Sequence, residues 1–216
     1  MSKKYEIFLF DLDGTITDSA LGITNSVMYA LKKFGIEETD RTKLYKFIGP
    51  PLTESFEKFY GFTKEQSLDG VKYYREYYHD KGIYENRVYD GLEEVLKKIN
   101  EAGKQAIVAT SKPEEYAKII IDHFHLTQYF ACVAGMEMDG GRGTKAQVIT
   151  YALEKNDITD KSNVLMIGDR EHDVIGAHEN GLDCLGILYG FGSRKEFEEA
   201  GADYIRENVE DILKFV

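Results

Sequence analysis

Four consecutive apolar residues, Ile7-Phe8-Leu9-Phe10, give way at once to Asp11-Leu12-Asp13-Gly14-Thr15. A short unbroken apolar run suits a strand buried on both faces, as in a parallel sheet. Comparable runs recur at Gln105 to Thr110, Cys132 to Ala134, Val164 to Gly168 and Leu182 to Leu188, the last of them the final central strand that the pattern supports. The segments between carry apolar residues at helical spacing. Leu92, Val95, Leu96 and Ile99 mark a helix stopped by Gly103, and Pro113 opens one bearing Ile119, Ile120, Ile121 and Phe124. Lys145 to Lys155 and His172 to Glu179 follow, the latter stopped by Gly181; prolines at helix starts and glycines just past helix ends are the usual punctuation. Such alternation predicts an α/β fold, a parallel sheet with helices on both faces.

Residues 16–89 break that rhythm. Ile23, Val27, Ala30, Leu31 and Phe34 predict a helix from about Asp18 to Phe34, with Gly35 as its stop. A short helical piece near Arg41 to Phe47 ends at Gly49-Pro50-Pro51, which cannot continue a helix. Thr53 reads as the N-cap of a helix with Phe56, Phe59 and Tyr60 on one face, and Thr63 as the cap of a longer one through about His79. Tyr73, Tyr74, Tyr77 and Tyr78 on that last helix are expected to pack against its neighbours rather than to stack a base. With no strand signal in it, the segment 16–89 is expected to be a separate helical domain inserted into a core made of residues 1–15 and 90–216.

The polar residues that follow the strands carry the candidate chemistry. Asp11, Thr110 and Asp169 each lie just beyond an apolar run, and an open parallel sheet gathers its ligands at that edge. Lys145 opens a helix that starts on the same side if the crossovers are right-handed. Two aspartates spaced by two residues could bind a divalent cation or divide the roles of nucleophile and acid/base; an Asp-Gly turn after a strand is the plainer alternative.

Asp11-Leu12-Asp13-Gly14-Thr15 resembles the first motif of the haloacid dehalogenase superfamily of phosphotransferases. The other three motifs of that family occur in order: Ile107-Val108-Ala109-Thr110-Ser111, then Lys145 before Ala146-Gln147-Val148-Ile149, then Val164-Leu165-Met166-Ile167-Gly168-Asp169 followed by Asp173. The resemblance spans almost the whole chain. It implies a Rossmann-like parallel-sheet core with a small α-helical cap inserted between the first and second motifs. It further implies that Asp11 attacks phosphorus to form an aspartyl-phosphate, while Asp13 protonates the leaving oxygen and later activates water. The Asp11 carboxylate, the Asp13 carbonyl and Asp169 would hold a metal, with Asp173 acting through a bound water. A cluster of Asp11, Asp13, Asp169 and Asp173 would repel itself without a cation, and hard oxygen ligands favour Mg²⁺. The Thr110 hydroxyl, the Ser111 backbone N–H and Lys145 would hold the transferring group.

Within the superfamily the chain looks most like the branch of phosphoglycolate phosphatase and 5′-nucleotidase-like hydrolases, on Asp18-Ser19, Thr110-Ser111-Lys112-Pro113 and Tyr89-Asp90-Gly91. Lys112 is expected at the rim of the site, and Lys46 and Phe47, in the loop running to Pro50, are expected to meet the leaving group. His172 is expected to be a loop-exposed histidine and no metal ligand. The implied activity is hydrolysis of a small phosphorylated metabolite. A β-phosphoglucomutase-like phosphotransferase, a dehalogenase and a phospho-accepting receiver module are the alternatives, the last having no need of a cap.

Composition narrows the setting. Thirty-eight acidic residues against 27 basic ones in 216, with no basic run, argue against a nucleic-acid polymer as partner. No run approaches the roughly 18 apolar residues of a membrane span, and Met1 to Glu6 lacks an apolar leader, so a cytoplasmic protein without membrane association, monomeric or homodimeric, is expected. Cys132 and Cys184 each sit in an apolar context and read as buried small hydrophobes.

Overall fold

The computed structural model describes residues 4–138 and 141–216; residues 1–3, part of the stretch read above for a leader, lie outside the described residues. In chain order the elements are β1 (Ile7–Phe10), β2 (Thr17–Asp18), α1 (Ala20–Lys33), a 3₁₀ segment (Arg41–Phe47), α2 (Leu52–Tyr60), α3 (Lys64–Tyr77) and one π-helical turn (Tyr78–Gly82). They continue with β3 (Arg87–Val88), α4 (Leu92–Glu101), β4 (Gln105–Pro113), α5 (Glu114–His123), β5 (Cys132–Met136) and α6 (Lys145–Lys155). The chain ends with β6 (Val164–Gly168), α7 (Glu171–Glu179), β7 (Asp183–Ile187), α8 (Arg194–Ala200), β8 (Tyr204–Arg206) and a 3₁₀ segment (Val209–Phe215).

Two compact units result. One runs to Thr17 and resumes at Val88; the other is Asp18–Arg87, so the divisions fall two residues inside the limits of 16 and 89 expected from the sequence. In the first unit, six strands form a parallel sheet in the order β5-β4-β1-β6-β7-β8. Leu9, Ile107, Ala109, Val164 and Met166 on one face pack against Val148, Ile149, Ala152 and Leu153 of α6, Val174 and Ala177 of α7, and Phe197 of α8. The order steps from β1 through β4 to β5 by way of α4 and α5, then returns across β6, β7 and β8 by way of α6, α7 and α8. Right-handed crossovers therefore put the two helix sets on opposite faces. Both faces being covered, Phe8, Leu9 and Phe10 are all fully buried, which is why β1 reads as an unbroken apolar run.

The sequence pattern stops short of β8. Its three residues are half-buried at the sheet edge, so they show neither an apolar run nor a clean alternation. Cys184 is buried, but Cys132 is only half-buried, which corrects the reading of both as interior. Among the described residues no helix is long and apolar enough to cross a membrane.

The second unit is helical apart from the short strands at its ends. Pro51, and not Thr53, precedes the first residue of α2; a proline with its fixed φ can stand just before a helix, so Thr53 falls inside the first turn. Thr63 caps α3 as expected, its hydroxyl accepting from the Gln66 N–H while the Gln66 side chain accepts from the Thr63 N–H. The tyrosines of α3 and the π turn pack on neighbours: Tyr74 stacks on Tyr78 at 5.3 Å, Tyr77 meets Tyr29 at 5.6 Å, and Tyr73 meets Phe34 at 5.7 Å between ring centroids.

Phe47 lies in the interior of this unit, 2% exposed. Its ring sits 5.2 Å from that of Phe56, 5.5 Å from Phe59 and 6.0 Å from Tyr60. These contacts give Phe47 a packing role that fixes the loop it belongs to. Phe47→Ala is expected to destabilise the protein by about 3 kcal/mol or more, the range for truncating a buried phenylalanine. Urea unfolding would show it, and a loss below about 1 kcal/mol would mean the ring is not a core anchor. Lys46 beside it is exposed, with its ammonium 4.3 Å over the Phe59 ring.

Candidate active site

The strand register brings the polar residues to one edge. Phe10 pairs with Val108 of β4 and with Ile167 of β6. Asp11 directly follows Phe10, while Thr110 and Asp169 each stand two residues beyond those partners, so all three emerge together. The Asp11 backbone N–H still donates to the Ile167 carbonyl at 2.9 Å, which fixes the first residue past the strand.

Asp11, Asp169 and Asp173 each turn one carboxylate oxygen into a common space, the three atoms lying within 4.8 Å of one another. All three residues are buried, at 7%, 0% and 1% exposure. Lys145 enters from the first turn of α6, placing its ammonium 2.8 Å from Asp11 Oδ1 and 2.8 Å from Asp173 Oδ1. It also donates to the Ala109 carbonyl at 3.1 Å. The start of α6 is fixed by a reciprocal cap between Thr144 and Gln147, so the sequence sets where this lysine begins. Asp173 Oδ2 accepts the Arg170 N–H at 3.1 Å, and Asp169 Oδ2 accepts the Phe191 N–H at 2.8 Å.

The Lys145 ammonium contacts two of the three buried carboxylates, and the charges register the imbalance. Burial, together with the neighbouring Asp173 and Asp11, pushes the Asp169 carboxyl well above the usual carboxylate range. Burial also raises Asp173, with Asp11 adding to the rise against the pull of Lys145. Burial alone would lower the Lys145 ammonium, but Asp11 and Asp173 outweigh it and raise its pKa. Asp169 Oδ1 is buried without a hydrogen-bond partner. A buried, oxygen-only, under-compensated cluster fits a divalent cation bound by hard ligands.

Asp13 is not one of that trio. Its Oδ2 lies 2.6 Å from the Lys112 ammonium, the two side chains being 14% and 5% exposed. Lys112 reaches it because β4 is irregular between Thr110 and Pro113, and a bulge at a strand end re-aims the side chains there. Thr110 is buried, and its hydroxyl accepts the Lys112 N–H at 3.2 Å; Ser111 between them is half-buried. Thus Asp11, Lys145, Asp169 and Asp173 form one cluster, while Asp13 pairs with Lys112, whose backbone N–H is held by Thr110. Lys46 and Phe47 belong to the helical unit. His172 is in the first turn of α7 and half-buried, not loop-exposed. Desolvation lowers its pKa.

The loop after β7, Tyr189-Gly190-Phe191-Gly192, also shapes the site. Phe191 supplies the N–H that orients Asp169, and the Tyr189 hydroxyl donates to the Thr15 carbonyl at 3.1 Å. A Cβ on Gly190 would fall 2.4 Å from both Asp169 Cβ and the Gly14 carbonyl oxygen, so only glycine lets this loop lie against the first motif. Gly14 itself adopts φ +83°, where a side chain would be strained. The Gly-x-Gly spacing just past a buried strand was the available signal.

Residues 8–187 match the family model described as haloacid dehalogenase-like hydrolase. Among curated proteins, a 5′-nucleotidase of Pseudomonas aeruginosa is 45% identical over 193 residues, covering 89% of this chain and 87% of that protein. The tyrosine-protein kinase PtkA of Mycobacterium tuberculosis is 35% identical over 87% of this chain, which spans 63% of PtkA. Among solved structures, a predicted phosphatase from Clostridium acetobutylicum superimposes with a TM-score of 0.94 at 48% identity, covering 98% of each chain. The parallel sheet, the aspartates gathered at its edge and a family match over most of its length establish that the chain belongs to the haloacid dehalogenase-like hydrolases.

Proposed function

We propose that this hydrolase is a Mg²⁺-dependent phosphatase that cleaves small phosphomonoesters through an aspartyl-phosphate on Asp11. The observation that carries the reading is the buried cluster in which Lys145 bridges Asp11 and Asp173 beside Asp169. An Asp11 oxygen attacks phosphorus as the bond to the leaving oxygen breaks, and Asp13 gives that oxygen its proton. Asp13, now a carboxylate, takes a proton from water as the water attacks the aspartyl-phosphate, releasing inorganic phosphate and restoring Asp11. Lys145 holds Asp11 in place and offsets the repulsion of its neighbours. The Thr110 hydroxyl and Ser111 N–H are assigned to the phosphoryl oxygens. Mg²⁺ would be held by the Asp11 and Asp169 carboxylates and the Asp13 carbonyl, with Asp173 in its outer shell, and would supply positive charge against the phosphoryl oxygens.

The 45% identity to a 5′-nucleotidase makes 5′-nucleotides the first substrates to try, ahead of phosphoglycolate. Choice of the alcohol is assigned to the helical unit, with Lys46 as a contact. Phosphate release from a panel of small phosphoesters is expected to be silenced by chelator and restored by Mg²⁺, with one inorganic phosphate for each ester lost. Full turnover in chelator would overturn the metal assignment. Loss of substrate without inorganic phosphate would favour the phosphotransferase reading.

A further inference from the structure

The loop that carries Asp169 and Asp173 is held from outside by a residue of another helix. Glu196 Oε1 accepts two hydrogen bonds from it: the Arg170 Nε–H at 2.9 Å and the Glu171 backbone N–H at 2.8 Å. Glu171 is the first residue of α7, so its N–H is among those a helix cannot satisfy internally. Arg170 and Glu196 are both largely buried, 17% and 19% exposed.

Local preference points Glu196 elsewhere. Ser193-Arg194-Lys195-Glu196 has the Ser-x-x-Glu spacing of a capping box, in which the glutamate reaches back to the N-terminus of its own helix. Thr63 with Gln66 and Thr144 with Gln147 complete that arrangement. At α8 the Ser193 hydroxyl makes its half, accepting the Glu196 N–H at 3.2 Å, but the Glu196 carboxylate is turned to the start of α7. A side chain diverted from its local role is a sign that another requirement sets its position. What it touches here is the segment between two clustered aspartates, Arg170 and Glu171 lying directly after Asp169 and before Asp173. The same loop receives the Phe191 N–H on Asp169 and the Arg170 N–H on Asp173.

We propose that Glu196 is a positioning residue for divalent-cation binding: by clamping Arg170 and Glu171 it holds the Asp169 to Asp173 turn so that both carboxylates face Asp11. This rests on the proposed metal site. Partners that orient metal ligands typically change affinity by about 10- to 100-fold when removed. Glu196 is offered as such a partner one step further out, so the lower end applies.

The test follows the unfolding temperature of the whole protein, without substrate, as Mg²⁺ is titrated. Wild type should be stabilised with a defined Mg²⁺ midpoint. Glu196→Ala should raise that midpoint by about tenfold. Glu196→Gln keeps an acceptor oxygen for both donors and should stay within about threefold of wild type, since what is lost is charge and not the clamp. Ser193→Ala, which weakens the cap of α8 without touching the loop, should lower the metal-free unfolding temperature and leave the midpoint unchanged. A Glu196→Ala midpoint equal to wild type, with or without a loss of stability, overturns the inference. So does a Ser193→Ala midpoint displaced as far as that of Glu196→Ala, because general loosening of α8 would then explain both. Absence of any Mg²⁺ effect on wild type would overturn the metal reading itself, and the inference with it.

Discussion

Asp11→Asn protein should fold and bind phosphate analogues, yet turn over at least about 10⁴-fold more slowly than wild type, on the scale seen when an enzyme loses its nucleophile. The change is nearly isosteric, so the Asp11 backbone N–H to Ile167 and the packing of β1 are untouched. What changes is the chemistry at one atom. An amide oxygen is a poor nucleophile, and the amide is a weaker partner for Lys145 and for a cation. The same substitution removes a negative charge beside Asp169 and Asp173, two carboxyls whose pKa values Asp11 helps to raise, so the repulsion stored in the cluster falls. Thermal unfolding should therefore show no loss comparable to the loss of activity. Hydroxylamine, which captures acyl phosphates, should trap an intermediate on wild type during turnover and none on the variant. Retention of a tenth of wild-type turnover would refute the covalent role and return Asp11 to a ligand only.

The parts of this molecule that the sequence displays are those set by burial over short distances. Val164 to Gly168 and Lys145 to Lys155 emerge as a strand and a helix over the same residues as expected, because one is apolar throughout and the other opens with a reciprocal cap. The gathering of Asp11, Thr110 and Asp169 also follows from the sequence, since parallel strands in register end together. Contacts that depend on tertiary placement were not visible. Lys112 faces Asp13 only because β4 loses its regularity after Thr110. Phe47 looked like a loop aromatic until Phe56, Phe59 and Tyr60 closed around it. Glu196 carries a local capping signature that it does not obey, and the strand Tyr204–Arg206 has too little buried surface to mark itself.

Lys145→Met should be the most damaging single change to the stability of the core, and its damage should grow with pH. Methionine fills much of the volume of the lysine stem but leaves Asp11, Asp169 and Asp173 within 4.8 Å of one another without their ammonium. Removing one member of a buried ion pair costs about 3–5 kcal/mol, because the remaining charge stays desolvated. In the folded protein Asp169 and Asp173 already titrate above their ordinary range, so between about pH 4 and their raised values the native state binds more protons than the unfolded chain. Stability therefore falls as pH rises through that window. Lys145 has a raised pKa; its contribution is full below the ordinary lysine value near 10.4 and is lost only as pH climbs through the higher folded one. Over pH 5 to 8 the wild-type lysine is thus charged throughout, and it limits how far the Asp173 carboxyl rises. Without it Asp173 rises further, the window extends toward neutrality, and the variant is worse at pH 8 than at pH 5. Mg²⁺ should recover part of the loss at pH 8 and less at pH 5, below the value of about 6 to which Asp173 is raised. Urea unfolding at both pH values, with and without Mg²⁺, measures all of this. A loss equal at pH 5 and pH 8 would show that Lys145 stabilises the core by packing its stem and not by compensating the carboxylates.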